Sequence, residues 1–430
     1  MLPVRASLRK ILKGSEGLAL ITVIFVAAFF LIFVAGGLFF AQLNLKIASN
    51  FKLATQAVEV ADAGLQHGLA VIPWVWNFNG QLNCGTPPCP VVSQTSFPSG
   101  SGFTYTVTAQ NNPGEASPTV DSDSKILVTA QANGPSSTKK IVEAYVRRSV
   151  AAFTPPAALY VNAVTSYPTY DSSNTGMGAY YFDNNDMLWV KGSDTNYNGS
   201  AGPNPTLYAI ATTNDTVTTA LKNEDQTNSS YHIISGIGSA PSISTVGDIL
   251  DVDTIAQKFF SQPGAVIFPN GLKTDTTSTG PGVEACPDSL PTPRPNPDPC
   301  NLGTSSSPQV TYIRQNSAPN FIFLKGKVRG YGVLVLEGEA TLRGDLKFYG
   351  LIVHKRSDAT HYISFEDDAK VYGAILLGSF DEGDGKGKKA RFGLKDGVRI
   401  YYSSQGLNMV DSNWGSLLPK PPRVFAWLDK

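Results

Sequence analysis

Residues Leu18 to Ala41 read LALITVIFVAAFFLIFVAGGLFFA, a run without a single charge. As a helix it would span roughly 36 Å, enough to cross a bilayer core of about 30 Å. The preceding residues 1–17, MLPVRASLRKILKGSEG, carry Arg5, Arg9, Lys10 and Lys13. Basic residues ahead of a span hold the N-terminus in the cytoplasm, so the remainder is expected to be exported. The apolar part of a cleaved secretory signal is usually about half as long, and no Ala-x-Ala site follows. An ordinary signal anchor is the plain reading of this segment alone.

The run continues as QLNLKIASNFKLATQAVEVADAGLQHGLAVI. Leu43, Ile47, Phe51, Ala54, Val58, Ala61, Leu65, Leu69 and Ile72 recur at three- and four-residue steps, which predicts an apolar stripe on a water-exposed helix. No proline interrupts Leu18 to Ile72, Gly36-Gly37 should loosen the membrane half, and Pro73 ends the helix. The expectation is one helix over 18–73, with 18–41 transmembrane. Its first half is apolar all round and its second half amphipathic. Such a helix can bundle with copies of itself in a membrane or fibre and carry a head on its outer half.

In the remainder, 40 Gly and 29 Pro in 430 residues, with Ser, Thr and Asn crowding the middle, predict a β-rich, turn-rich chain. The formal net charge is zero, and no basic stripe interleaved with aromatics stands out along the sequence, so no nucleic-acid partner is expected. The cysteines form two local pairs, CGTPPC and CPDSLPTPRPNPDPC, neither followed by Cys or His at zinc-ligand spacing. In an exported chain they favour the disulfides Cys84–Cys89 and Cys286–Cys300 among three connectivities, with four free thiols as the alternative.

A basic leader ending in Gly and running directly into an apolar helix resembles a type IV prepilin. More narrowly, EGLALITVIFVAA followed by NFKLATQAVEVADAGLQHG resembles the N-terminal region of the PilX-like minor pilins, over about the first 70 residues. The resemblance implies cleavage by prepilin peptidase between Gly17 and Leu18, with Gly14 as a competing site. Main-fibre pilins carry a Glu at the fifth mature position, where it meets the N-terminal amine of a neighbouring subunit. Here that assembly position is Thr22. The departure argues against a repeating fibre subunit and for a minor or tip-located one.

Past the helix, GFTYTVTAQ (102–110), KILVTAQA (125–132) and KKIVEAYVRRS (139–149) alternate as strands with one buried face, and predict an antiparallel meander against the helix. Residues 74–155 are thus expected to form a pilin-like β head, bounded by Pro155-Pro156. Residues 156–318 read as a loop-rich mixed insert. ALYVNAV and AYYFDN look like strands in it. TVGDILDVDTIAQKFFSQPG (245–264) looks like one amphipathic helix. Asp194, Asn196 and Asn198 before Gly199 spell D-x-N-x-N-G, the alternation of oxygen ligands that a hard cation such as calcium wants. An EF-hand would place its bidentate Glu where Pro205 stands, and an Asx-rich surface turn is the competing reading. The acidic loop Asp381-Glu382-Gly383-Asp384-Gly385 lacks the spacing. Calcium is the only cofactor for which the residues offer a case.

Residues 319–430 contain a repeat. Tyr331-Gly332 precedes VLVLEG, Tyr349-Gly350 precedes LIVHK and Tyr372-Gly373 precedes AILLG, at intervals of 18 and 23 residues. Short apolar strands at that period predict stacked coils of a parallel β-solenoid, with Val333, Val335, Leu351, Val353, Ala374 and Leu376 in one buried column. Antiparallel hairpins are the alternative. The segment, with its YYSSQGL ending, also resembles the C-terminal domains associated with PilX-like proteins. An enzyme is not expected. Glu366, Asp367 and Asp368 are consecutive and alternate faces in a strand. His354 and His361 belong to only four histidines, and no G-x-S-x-G, H-E-x-x-H or Walker loop is present.

The fold class read from the sequence is therefore α+β: a long N-terminal transmembrane and amphipathic helix, a small antiparallel sheet and a C-terminal parallel β-solenoid-like domain. The expected location is a single pass in the inner membrane, with the remainder periplasmic or outside the cell on a pilus. The expected partners are other pilin subunits, prepilin peptidase, the membrane, and a surface or glycan bound by the head.

Overall fold

The computed structural model describes residues 15–163, 180–182, 187–227, 231–275, 283–286, 298–315, 322–358, 361–381, 383 and 387–429. The fold is α+β: a long apolar helix, a small antiparallel sheet and a larger region of parallel sheet.

Helix α1 (Ser15–Val71) runs unbroken through Gly36-Gly37. It is long and apolar enough to cross a membrane, and the side chains from Leu18 to Phe40 stand exposed. Its last turns lie on the antiparallel sheet through Ala57, Val60, Ala61 and Leu65, all buried. The expected stripe is thus only half used, because Leu43, Ile47, Phe51 and Val58 remain exposed. The sheet begins to cover the helix near Ala57, and close approach selects small residues there. A Cβ at Gly64 would stand 2.8 Å from the Tyr105 ring, and one at Gly68 2.6 Å from Val107 Cγ1.

Strands β2 (Thr104–Asn111), β3 (Lys125–Asn133) and β4 (Lys139–Arg148) form the expected antiparallel meander, and β1 (Cys89–Ser96), which was not expected, pairs antiparallel with β2 at its edge. Alternate residues Tyr105, Val107, Ala109, Ile126, Val128 and Ala130 are buried toward α1. Each fully buried aliphatic side chain contributes about 1.5–3 kcal/mol by leaving water. The fifth strand was not expected here. The last strand of the chain, Pro422–Asp429, pairs antiparallel with β4. The 319–430 segment is therefore not self-contained: it ends in the head sheet. Arg148 clamps this return by donating from Nε to Val75 O and from Nη2 to Leu418 O.

From Gln309 to Leu377 consecutive strands alternate between two parallel sheets. Gln309–Arg314, β5 (Arg329–Glu337), β6 (Lys347–Lys355) and β7 (Lys370–Leu377) lie side by side in one. The intervening strands Ile322–Lys325, Ala340–Arg343, Ile363–Glu366 and Phe392–Leu394 lie side by side in the other. Val333, Leu351 and Ala374 are register partners, as are Val335, Val353 and Leu376, and all six are buried. Antiparallel hairpins are excluded between Gln309 and Leu377, while beyond it Phe380–Asp381 and Lys388–Lys389 pair antiparallel. The near-continuous apolar runs follow from burial on both faces, since helix α2 (Val252–Phe260) covers the outer side of β5 and β6.

The glycine of each Tyr-Gly pair sits inside a strand rather than before it. Gly332, Gly350 and Gly373 have φ of 120°, 138° and 152°. A Cβ at Gly350 would collide with Gly332 O, and one at Gly373 with Gly350 O. Only glycine lets the chain bend there with the neighbouring strand so near. Before the bend, residues 329–331, 347–349 and 370–372 align with β8 (Arg399–Tyr402), which pairs in turn with Leu188–Lys191.

Residues 156–318 contribute strands to the first of these sheets. Ala157–Val161 pairs with β7, Tyr208–Thr212 with Ala157–Val161, and Ile243–Thr245 with Tyr208–Thr212, all parallel. These strands are three to five residues long. The first was expected, as ALYVNAV, while the other two are too short for a period to show between Asn/Thr/Ser-rich loops. The expected helix over 245–264 is shorter, because Ile243–Thr245 is a strand and Asp251 caps the helix through Thr254 N.

Candidate functional site

The bend creates a short outward-facing strip on the first sheet. Residues two apart on a strand share a face. One column holds Arg329, Lys347, Lys370 and Arg399, register partners from strand to strand, with Trp189 next. Two residues along, a second column holds Tyr331, Tyr349, Tyr372 and Tyr401, followed by Lys191. Between them Phe348, Val371, Ile400 and Val190 point into the core.

The phenol rings stack along the ladder. Centroids lie 4.5 Å apart for Tyr331–Tyr349 and 5.2 Å for both Tyr349–Tyr372 and Tyr372–Tyr401, with the rings of the first two pairs nearly parallel at 17° and 14°. Tyr197 stands edge-on against the middle ring at 4.6 Å. Burial, then the neighbouring phenols, hold the Tyr349 hydroxyl above its ordinary range, and burial pushes Tyr401 up to about 12. These hydroxyls therefore stay protonated and can donate. At the far end Trp189 carries two cations, Lys191 Nζ 5.0 Å and Arg399 Cζ 4.6 Å from its ring centroid. Asp345 pairs with Arg329 at 2.6 Å and Lys347 at 3.4 Å, and Asp368 with Arg399 at 3.4 Å.

The strip did not emerge from the sequence reading, which took only Tyr-Gly from each repeat. The fuller signal is a basic residue two before each tyrosine: R-G-Y-G at 329, K-F-Y-G at 347, K-V-Y-G at 370 and R-I-Y-Y at 399.

The expected calcium set is engaged otherwise. Asp194 is buried, and its carboxylate accepts from Ser404 N at 2.8 Å, Ser404 Oγ at 2.7 Å and Asn204 N at 2.8 Å. It thus serves the start of helix α3 (Ser404–Trp414), where unpaired N–H groups want an acceptor. Asn196 Nδ2 donates to Ser200 Oγ and Ala201 O, while Asn198 Oδ1 accepts from Ser200 N. This is the bonding of an Asx-rich turn. Of the second loop, Glu382, Asp384 and Gly385 lie outside the described residues. A third acidic group, unremarked in the sequence, gathers Glu115, Asp121 and Asp123 within 4.8 Å. Its carboxylates accept backbone N–H groups of Ser122, Asp123, Phe78 and Lys125.

Both disulfides, Cys84–Cys89 and Cys286–Cys300, are present. Gly17 and Leu18 lie in the first turn of α1, while Gly14 lies outside the described residues. The Thr22 hydroxyl donates to Leu18 O at 2.8 Å, so it is bonded within its own helix. Glu366 accepts from Lys395, and Asp367 and Asp368 pair with Arg343 and Arg399. His354 is fully buried, with Nε2 2.8 Å from Gly338 O, and desolvation pushes its pKa down to about 4. It sits as a neutral core residue, away from those acids.

No family model, curated protein or solved structure matches the chain.

Proposed function

We propose that the chain is a minor-pilin-like subunit of a type IV pilus or a related secretion system, held in the inner membrane by α1 before assembly. The observation that carries this reading is the division of α1. One continuous helix leaves its apolar first half bare and seats its last turns, through Gly64 and Gly68, on an antiparallel sheet. A bare apolar helix of that length is stable in lipid or in a bundle of like helices, not in water. Two local disulfides agree with a head outside the cytoplasm.

The parallel region is read as a β-solenoid. Its support is the alternation of consecutive strands between two parallel sheets from Gln309 to Leu377, with a glycine bend shared by β5, β6 and β7. A head of this bulk, together with Thr22 in place of the acid, favours a position at or near the tip. There it would prime assembly or bind a surface. The reading is tested in cells that assemble such fibres. Gly17→Ala should keep the chain in the membrane fraction and out of sheared surface fibres. Equal recovery of both forms in the sheared fraction would overturn it.

A further inference from the structure

We infer that the strip built by Arg329, Lys347, Lys370 and Arg399 beside the tyrosine ladder binds an extended anionic polysaccharide, one with carboxylates at regular intervals. The inference rests on the head being a surface-binding module, and not on how α1 is processed.

The first argument is charge. Four cations stand in register on adjacent strands, about 4.8 Å apart. Like charges directly opposite one another destabilise a sheet. Only Asp345 and Asp368 answer this column and Lys191, and Lys370 makes no ion pair among the described residues. The outward column of the second sheet is arranged differently. There Lys325, Arg343 and Glu366 are register partners, and Glu366 pairs with Lys395 at 3.2 Å and Arg343 at 3.8 Å. The sheet that could neutralise itself does so, while the strip keeps an excess of one sign that a linear polyanion would relieve.

The second argument is the kind of polyanion. The faces of Tyr349 and Tyr372 are occupied by neighbouring rings, so the ladder offers no run of open rings on which successive bases could stack. What the half-buried Tyr331, Tyr349 and Tyr372 offer is ring edges and phenol hydroxyls, suited to a partner rich in hydroxyl groups. One strand step is close to the length of one sugar residue, so cation and phenol recur in step with an acidic sugar chain. The cation column runs across four adjacent strands, as a long ligand requires.

Full-length protein in detergent micelles is titrated with polygalacturonate, with neutral dextran, with oligothymidylate and with polyglutamate. Polygalacturonate should bind, and binding should weaken with added salt. The double variant Lys347→Glu/Lys370→Glu should bind at least about tenfold more weakly, from the loss of two cation–carboxylate pairs. Its melting temperature should stay within a few degrees of the parent's, because the two new carboxylates face each other as the two lysines did but each also gains an arginine, Arg329 or Arg399, on its other side. Lys139→Ser, on the exposed head sheet, should bind as the parent does. Absence of polygalacturonate binding, equal binding of dextran, binding of oligothymidylate or polyglutamate as tight as polygalacturonate, or full binding by the double variant would each overturn the inference. None of these outcomes touches the cleavage at Gly17, so the two readings fail separately.

Discussion

Replacing Gly350 by alanine puts one methyl group where the neighbouring strand's backbone already stands. The residue holds φ +138°, a region that is costly for any side chain, at about 1–3 kcal/mol. The new Cβ would also meet Gly332 O, a backbone atom that cannot rotate away, and overpacking of that kind costs about 1–3 kcal/mol more. The expected loss is about 4 kcal/mol, which in a unit of this size lowers the melting temperature by roughly 10 °C. Gly393→Ala supplies the control within the same stack. Its Cβ would meet nothing nearer than Ser364 Oγ at 3.5 Å, and its φ needs no glycine. That variant should melt within a few degrees of the parent. Differential scanning calorimetry of the three proteins decides the matter. If Gly350→Ala melts no lower than Gly393→Ala, the register that places Gly332, Gly350 and Gly373 over one another is wrong.

Two further outcomes follow from buried polar groups. His354 titrates in the unfolded chain near 6.5 but, buried, only at about 4, so the unfolded state takes up the proton first as pH falls. Its contribution is complete above about pH 6.5 and is lost toward pH 4, amounting to about 3 kcal/mol. His354→Gln, which keeps a donor for Gly338 O, should flatten the pH dependence of urea unfolding in that window, and an unchanged slope would refute the assignment. Asp194→Ala removes the acceptor of Ser404 N, Ser404 Oγ and Asn204 N, and should cost about 3 kcal/mol through a lost cap and stranded donors. The loss should be the same with calcium or with chelator, whereas a calcium-dependent difference would restore a metal role to the loop.

The parts legible in the sequence were those whose period is long and whose neighbours are near. Helix α1 shows itself through its apolar run, and β2 to β4 through strict alternation ended by turns. The register of Val333, Leu351 and Ala374 was readable because the same Tyr-Gly pair marks each strand. What escaped depends on distant pairing. Pro422–Asp429 joins β4 from the far end of the chain, and nothing local in PRVFAWLD says so. Tyr208–Thr212 and Ile243–Thr245 are short and flanked by polar loops, so they carry no period to read, and ALYVNAV shows itself as a strand without showing which distant strands it joins. The strip escaped for another reason. Its cations are spread over 329–399 with 18 to 29 residues between successive members, and only the fold stacks them into a column. The Asp194 loop was misleading because D-x-N-x-N-G suits a tight Asx turn and a cation site alike, and the partner that decides between them, Ser404, is 210 positions away.

The mature N-terminus tests the assembly-helix reading most directly. The chain is purified from cells that hold an active prepilin peptidase, with a known prepilin processed in the same cells, and its first residues are read by mass spectrometry. Leu18 as the first residue is the predicted result. A chain that still begins at Met1, beside a fully processed control, would contradict it.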